Sequence, residues 1–146
     1  MNALTDPARW LEEVVALATE AGRRILDVYE RQFDVSRKDD GSPLTDADRA
    51  AHEVIVERLA ALTPAIPVLS EESAKIDYNE RAGWQRFWLV DPLDGTKEFV
   101  NRNGEFTVNI ALIDNAAPVL GVVYVPVTGV CYLAVRGQGA WKEQGG

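Results

Sequence analysis

Acidic residues in this chain sit where apolar runs stop. Asp91-Pro92-Leu93-Asp94-Gly95-Thr96 follows Arg86-Phe87-Trp88-Leu89-Val90, and Glu71-Glu72 follows Ile66-Pro67-Val68-Leu69-Ser70. At a strand end a rigid sheet holds a side chain while the loops leave it open to a ligand. If Glu71, Asp91 and Asp94 converge, two carboxylates ~4 Å apart repel by ~4 kcal/mol at an effective dielectric of 20. Such a cluster calls for cations. Magnesium suits it, because it takes hard oxygen ligands, keeps some waters and shares phosphate oxygens with its substrate. Asp91 is a candidate to bridge two ions, and the carbonyl of Leu93 to add a ligand. Two ions ~3.5–4 Å apart clamp the attacking and leaving oxygens of an in-line displacement at phosphorus.

Gly95-Thr96 opens a short helical stretch, Lys97-Glu98-Phe99-Val100. Amide groups at a helix start cradle phosphate, and glycine permits close approach. The Thr96 hydroxyl is a candidate to orient the attacking water, and Asp48 to take its proton. Thr45-Asp46-Ala47-Asp48 also has the form of a capping box with Asp in its last place. Spacing therefore leaves both a capping and a catalytic role open for Asp48. Glu72 reads as a supporting or solvent-facing residue, His52 as a plain residue of a helix, and Trp84, Trp88 and Trp141 as packing.

Other phosphatase chemistries fail on spacing. An aspartyl-phosphate enzyme needs Asp-x-Asp, whereas two residues separate Asp91 from Asp94. A cysteine phosphatase needs five residues between Cys and Arg, whereas Cys131 and Arg136 enclose four in a strand-like run. An EF-hand loop from Asp46 would put Ala51 where glycine is required.

The elements that must position these residues come in two blocks. Residues 6–32 read as an amphipathic helix, capped by Asp6 with Pro7 in its first turn. Trp10, Val14, Leu17, Ala18, Ala21, Ile25 and Val28 form its apolar stripe. Residues 33–44 are turn-rich. A second helix runs from about Asp46 to Leu62, with Ala51, Val54, Ile55, Leu59 and Leu62 inward. Strands are expected at 66–69, 86–90, 107–113, 119–125 and 130–135, with a polar loop at 73–85. Asp114-Asn115 and Thr128-Gly129 supply turns for a meander. Two helices followed by a run of strands argue for an α+β packing.

Bulk properties agree. The 146 residues are 47% hydrophobic and 26% charged, enough for one packed domain. Lys plus Arg number 15 against 23 Asp plus Glu, a net charge of −8, which argues against a nucleic-acid surface. A single cysteine, Cys131, excludes an intramolecular disulfide or a Cys-based metal site and fits a reducing, cytoplasmic setting. The N-terminus lacks signal-peptide features, and no apolar run approaches ~20 residues.

Four stretches together resemble the inositol monophosphatase superfamily of lithium-sensitive, magnesium-dependent phosphatases. They are Gly41 to Asp48, Pro67 to Glu72, Trp88 to Phe99, and Asn103 to Asp114. Lys97-Glu98-Phe99 and Asn103-Gly104-Glu105-Phe106 bring the resemblance closest to the bacterial CysQ-type 3'(2'),5'-bisphosphate nucleotidases. The resemblance implies the N-terminal half of an αβαβα fold, two helices on a mainly antiparallel sheet. It implies two or three Mg2+ ions held by Glu71, Asp91, Leu93 and Asp94. It makes Asp48 and Thr96 the pair that activates water, and groups Glu71, Leu93, Asp94, Gly95 and Thr96 around the substrate. The implied reaction takes the 3'-phosphate off adenosine 3',5'-bisphosphate to give AMP and phosphate, as part of sulfur assimilation, with 3'-phosphoadenylyl sulfate as a second substrate. Inositol phosphates or other sugar phosphates are the alternative substrates, and a non-catalytic metal-binding or interaction module is the alternative class. A homodimer and peripheral contact with the inner membrane stay open.

Relatives of this kind carry a second α/β domain with a Trp-Asp-x-Ala-Ala motif, whose Asp ligates metal. No such motif occurs among these 146 residues. The expectation is therefore an N-terminal metal-binding α+β domain, residues 1–146, without the C-terminal domain, and weak or no activity on its own.

Overall fold

The apolar stripe of the first helix folds as a short 3-10 helix, Pro7–Trp10, running into α1, Leu11–Arg31. All seven stripe residues from Trp10 to Val28 are buried. Each large aliphatic side chain among them contributes about 1.5–3 kcal/mol by leaving water. The structure, a computed structural model, describes residues 7–31, 43–70, 82–100 and 104–144. The expected Asp6 cap and most of the turn-rich segment lie outside these residues.

Helix α2 spans Pro43–Leu62 and buries Ala47, Ala51, Val54, Ile55 and Leu59. It starts three residues before the expected Asp46, with Pro43 at its first position, where a missing N–H costs nothing. Thr45 is thus already helical, and the capping-box reading of Thr45 to Asp48 does not hold.

Both helices lie on one face of a six-stranded sheet, in sequence order β1 to β6. The strands are β1 Val68–Ser70, β2 Arg86–Asp94, β3 Thr107–Asp114, β4 Ala117–Val125, β5 Val130–Val135 and β6 Gly139–Gln144. Strand β1 pairs with β2 in parallel and every other neighbour pair is antiparallel. This is the α+β arrangement expected from the sequence. The meander turns at Asn115-Ala116, with φ 52° and 65°, and at Thr128-Gly129, where the Gly129 N–H donates to the Val125 carbonyl at 2.8 Å.

Two differences matter. The strand expected to stop at Val90 continues to Asp94, because a register irregularity between Asp91 and Asp94 lets pairing resume beyond Pro92. Strand β6, not expected from the sequence, pairs with β5 and is exposed at all but Trp141.

Trp88 anchors the helical layer. It is fully buried, packs edge-on against Trp10 at 6.2 Å, and its Nε1 donates to Thr63 Oγ1 at 2.9 Å. Tyr29, Phe99 and Phe106 form a second cluster with ring centroids 5.1–5.3 Å apart. It ties the end of α1 to the segment after the Asp-Gly-Thr turn and to the approach to β3.

Candidate active site

In a regular strand, residues three apart point to opposite faces of the sheet. Asp91 and Asp94 escape this rule. Asp91 pairs with Asn109 and Asp94 with Thr107, so three steps on β2 match two on β3. That is a β-bulge, which inserts one residue and re-aims the side chains beyond it. The burial record shows the change of phase. Trp88, Val90, Pro92 and Leu93 are buried, whereas Leu89 and Asp94 are exposed and Asp91 is half-buried. The two consecutive buried residues, Pro92 and Leu93, absorb the extra step. Both aspartates therefore lie on the sheet face away from the helices.

Asp91 also lines a depression of about 570 Å³ on that face, with Leu69, Ser70, Leu89 and Asn109. Its Oδ1 atom is buried. Asp94 accepts a hydrogen bond from Asn109 Nδ2 at 2.9 Å, and Thr107 Oγ1 donates to Asn109 Oδ1 at 2.8 Å. Leu93 is buried and its side chain carries no donor, so the ligand expected of it is its main-chain carbonyl.

Gly95 turns the chain with φ +96°, and a Cβ there would lie 3.1 Å from Glu98 Oε1 and 3.2 Å from Phe106 Cα. The turn delivers the backbone into α3, Thr96–Val100, whose first hydrogen bond runs from the Phe99 N–H to the Gly95 carbonyl at 2.9 Å. Thr96 is exposed. Asp48 is half-buried on α2, and α2 packs against α3, β1 and β2. The helix of one water-activating candidate thus abuts the helix of the other.

Glu71 and Glu72 lie outside the described residues. Ser70, the last described residue of β1, is buried and pairs with Val90, the residue before Asp91. His52 reaches it: Nδ1 is 3.0 Å from Ser70 Oγ. His52, expected to be a plain helix residue, bonds to the strand end, and neither Asn109 nor Thr107 carries an acidic signal. His52 is one helical turn beyond Asp48, a spacing that places both on one face and was the available hint.

Among the described residues no group of three or more His, Cys, Asp or Glu could hold a metal ion. The expected donors Asp91, Asp94 and the Leu93 carbonyl are all hard oxygens, which fits magnesium rather than a softer ion. Cys131 is not a rival ligand. It is buried, and burial, aided by the charge of Glu143, pushes its thiol from 9.0 to about 11. Among the described residues no helix is long and apolar enough to cross a membrane.

The inositol monophosphatase family model matches residues 6–144. The 3'(2'),5'-bisphosphate nucleotidase CysQ of Salmonella typhimurium is 59% identical over 138 residues, 93% of this chain and 55% of the relative. The protein of the same description from Escherichia coli K12 is 57% identical over the same shares. The crystal structure of CysQ from Bacteroides thetaiotaomicron, described as a bacterial member of the inositol monophosphatase family, is 53% identical with a TM-score of 0.82. That match covers 93% of this chain and 50% of the other. The chain thus spans about half the length of the relatives it matches.

Proposed function

This chain belongs to the inositol monophosphatase family, and from that premise we propose that its 146 residues form the metal-binding α+β domain of a magnesium-dependent phosphomonoesterase. The proposed reaction takes the 3'-phosphate from adenosine 3',5'-bisphosphate and leaves AMP and phosphate. The observation that supports it most is the bulge that carries Asp91 and Asp94 to one open face beside Asn109. The bisphosphate is preferred over an inositol phosphate because the curated relatives at 57–59% identity are described as bisphosphate nucleotidases.

The proposed ligands for two or three magnesium ions are Glu71, Asp91, Asp94 and the main-chain carbonyl of Leu93. Bound magnesium would supply positive charge against the phosphoryl oxygens as negative charge develops there. The chain's own residues do the rest. Gly95 and Thr96 offer main-chain N–H groups to the phosphate, at a turn where any side chain is strained. Thr96 orients the attacking water through its hydroxyl, and Asp48 accepts the proton. Proton acceptance by a positioned carboxylate is worth about 10²–10⁴-fold in rate.

The test is phosphate release from adenosine 3',5'-bisphosphate and from inositol 1-phosphate, with magnesium and then with added lithium. Weak release from the bisphosphate, dependent on magnesium and suppressed by lithium, is expected. Release from the inositol phosphate alone would shift the assignment to a sugar-phosphate phosphatase. Magnesium binding with no release from either would leave a metal-binding module.

A further inference from the structure

We propose that Asn109 sets how Asp94 meets a cation, and that it thereby favours magnesium over calcium. The inference rests on the metal-binding reading above. Asn109 stands directly across from Asp91 in the β2–β3 register and bonds to Asp94 beyond the bulge, so it lies between the two members of the acidic pair. Its amide orientation follows from its partners. An ionised carboxylate only accepts, so the NH2 group faces Asp94. The amide oxygen is left to Thr107, whose Oγ1 donates to it at 2.8 Å.

The bond occupies Asp94 Oδ2 and presents the positive end of an N–H dipole beside it. Because the bond uses one of the two lone pairs of Oδ2, a cation would be met chiefly through Oδ1. Magnesium accepts this well, because it takes six ligands at short range and fills the remainder with water. Calcium takes six to eight oxygens and gains from carboxylates that bind through both oxygens. Asn109 weakens that second oxygen as a ligand. The amide also adds no negative charge opposite Asp91, whereas a carboxylate in its place would repel both aspartates. Residues that orient metal ligands in this way typically change affinity 10–100-fold when removed.

The test measures Mg2+ and Ca2+ binding separately, by isothermal titration, for the 146-residue chain, Asn109→Ala and Thr107→Val. Circular dichroism checks that each is folded. In Asn109→Ala, Mg2+ binding should weaken roughly 10-fold while Ca2+ binding holds or tightens, so the preference falls by about the same factor. Thr107→Val keeps Asn109 but frees its amide, and should move the ratio the same way by less. It carries the test alone if Asn109→Ala fails to fold. A ratio unchanged from wild type in the folded variants, or equal loss for both cations, overturns the inference. A wild-type chain that binds neither cation overturns the metal-binding reading itself, a distinguishable result.

Discussion

At Gly95 the backbone adopts a φ of +96°, a conformation that side chains with a Cβ rarely take, and Phe106 closes in from behind. Gly95→Ala should therefore destabilise the fold by about 1–3 kcal/mol. Urea unfolding measures it, and a stability equal to wild type would show that the turn relaxes freely. The requirement was legible in the sequence as part of the Asp-Gly-Thr run, since only glycine serves where acid, turn and helix start crowd together. Asp91 and Asp94 were legible for a similar reason: acids at the end of an apolar run are costly without a purpose. Asn109 and Thr107 were not. Neutral polar residues alternating with Val108 and Ile110 look like the solvent face of any half-buried strand, and the hydrogen bond from Asn109 to Asp94 exists only through the strand pairing.

The decisive element is the bulge in β2, and its trace in the sequence is Pro92. Proline cannot donate to a ladder and sits within sheets mainly at edges or bulges. A strand expected to stop before the acids in fact carries them both, and Pro92 marks where its register breaks. The core strands were readable because buried alternation leaves a clear period; β6 was not, since five of its six residues are exposed and its charges suit an edge strand rather than a core. What seats β2 against the helices is equally specific. Thr63, at the foot of α2, accepts a hydrogen bond from the buried Trp88 indole and donates to the Leu59 carbonyl at 3.1 Å. Thr63→Val keeps the shape but leaves the indole N–H buried without its acceptor, a cost of about 1–3 kcal/mol. Stability within a few tenths of a kcal/mol of wild type would mean another acceptor takes over. Because β2 carries the acidic pair, the variant should also weaken Mg2+ binding.

For the molecule as a whole, the sheet divides two chemistries. One face buries the helices' apolar stripes; the other carries the aspartates beside exposed Leu89, Val123 and Tyr132. Cys131 lies on the buried side, and its titration reports on the integrity of that layer. Its thiol is raised from 9.0 to about 11, by burial first and then by the charge of Glu143. A pKa raised on folding gives stability that is full below the unfolded value. It falls as pH climbs from 9.0 towards about 11, because the unfolded chain releases a proton that the folded chain holds. The loss at high pH from this group is at most about 2.7 kcal/mol, of which about 2 is reached by pH 11. Tyr124 adds to the same trend, since burial and the neighbouring Cys131 raise it, against the lowering pull of Arg23. Cys131→Ala creates a small cavity and shifts stability by an amount that does not depend on pH, so the slope rather than the level is diagnostic. Between about pH 8 and pH 11 the variant should lose less stability than wild type, by up to about 2 kcal/mol. It removes both the thiol's own titration and the charge that raises Tyr124. Urea midpoints across that range measure the difference. Parallel slopes in the two proteins would mean that the buried layer does not hold the thiol's proton and that the alkaline loss arises elsewhere.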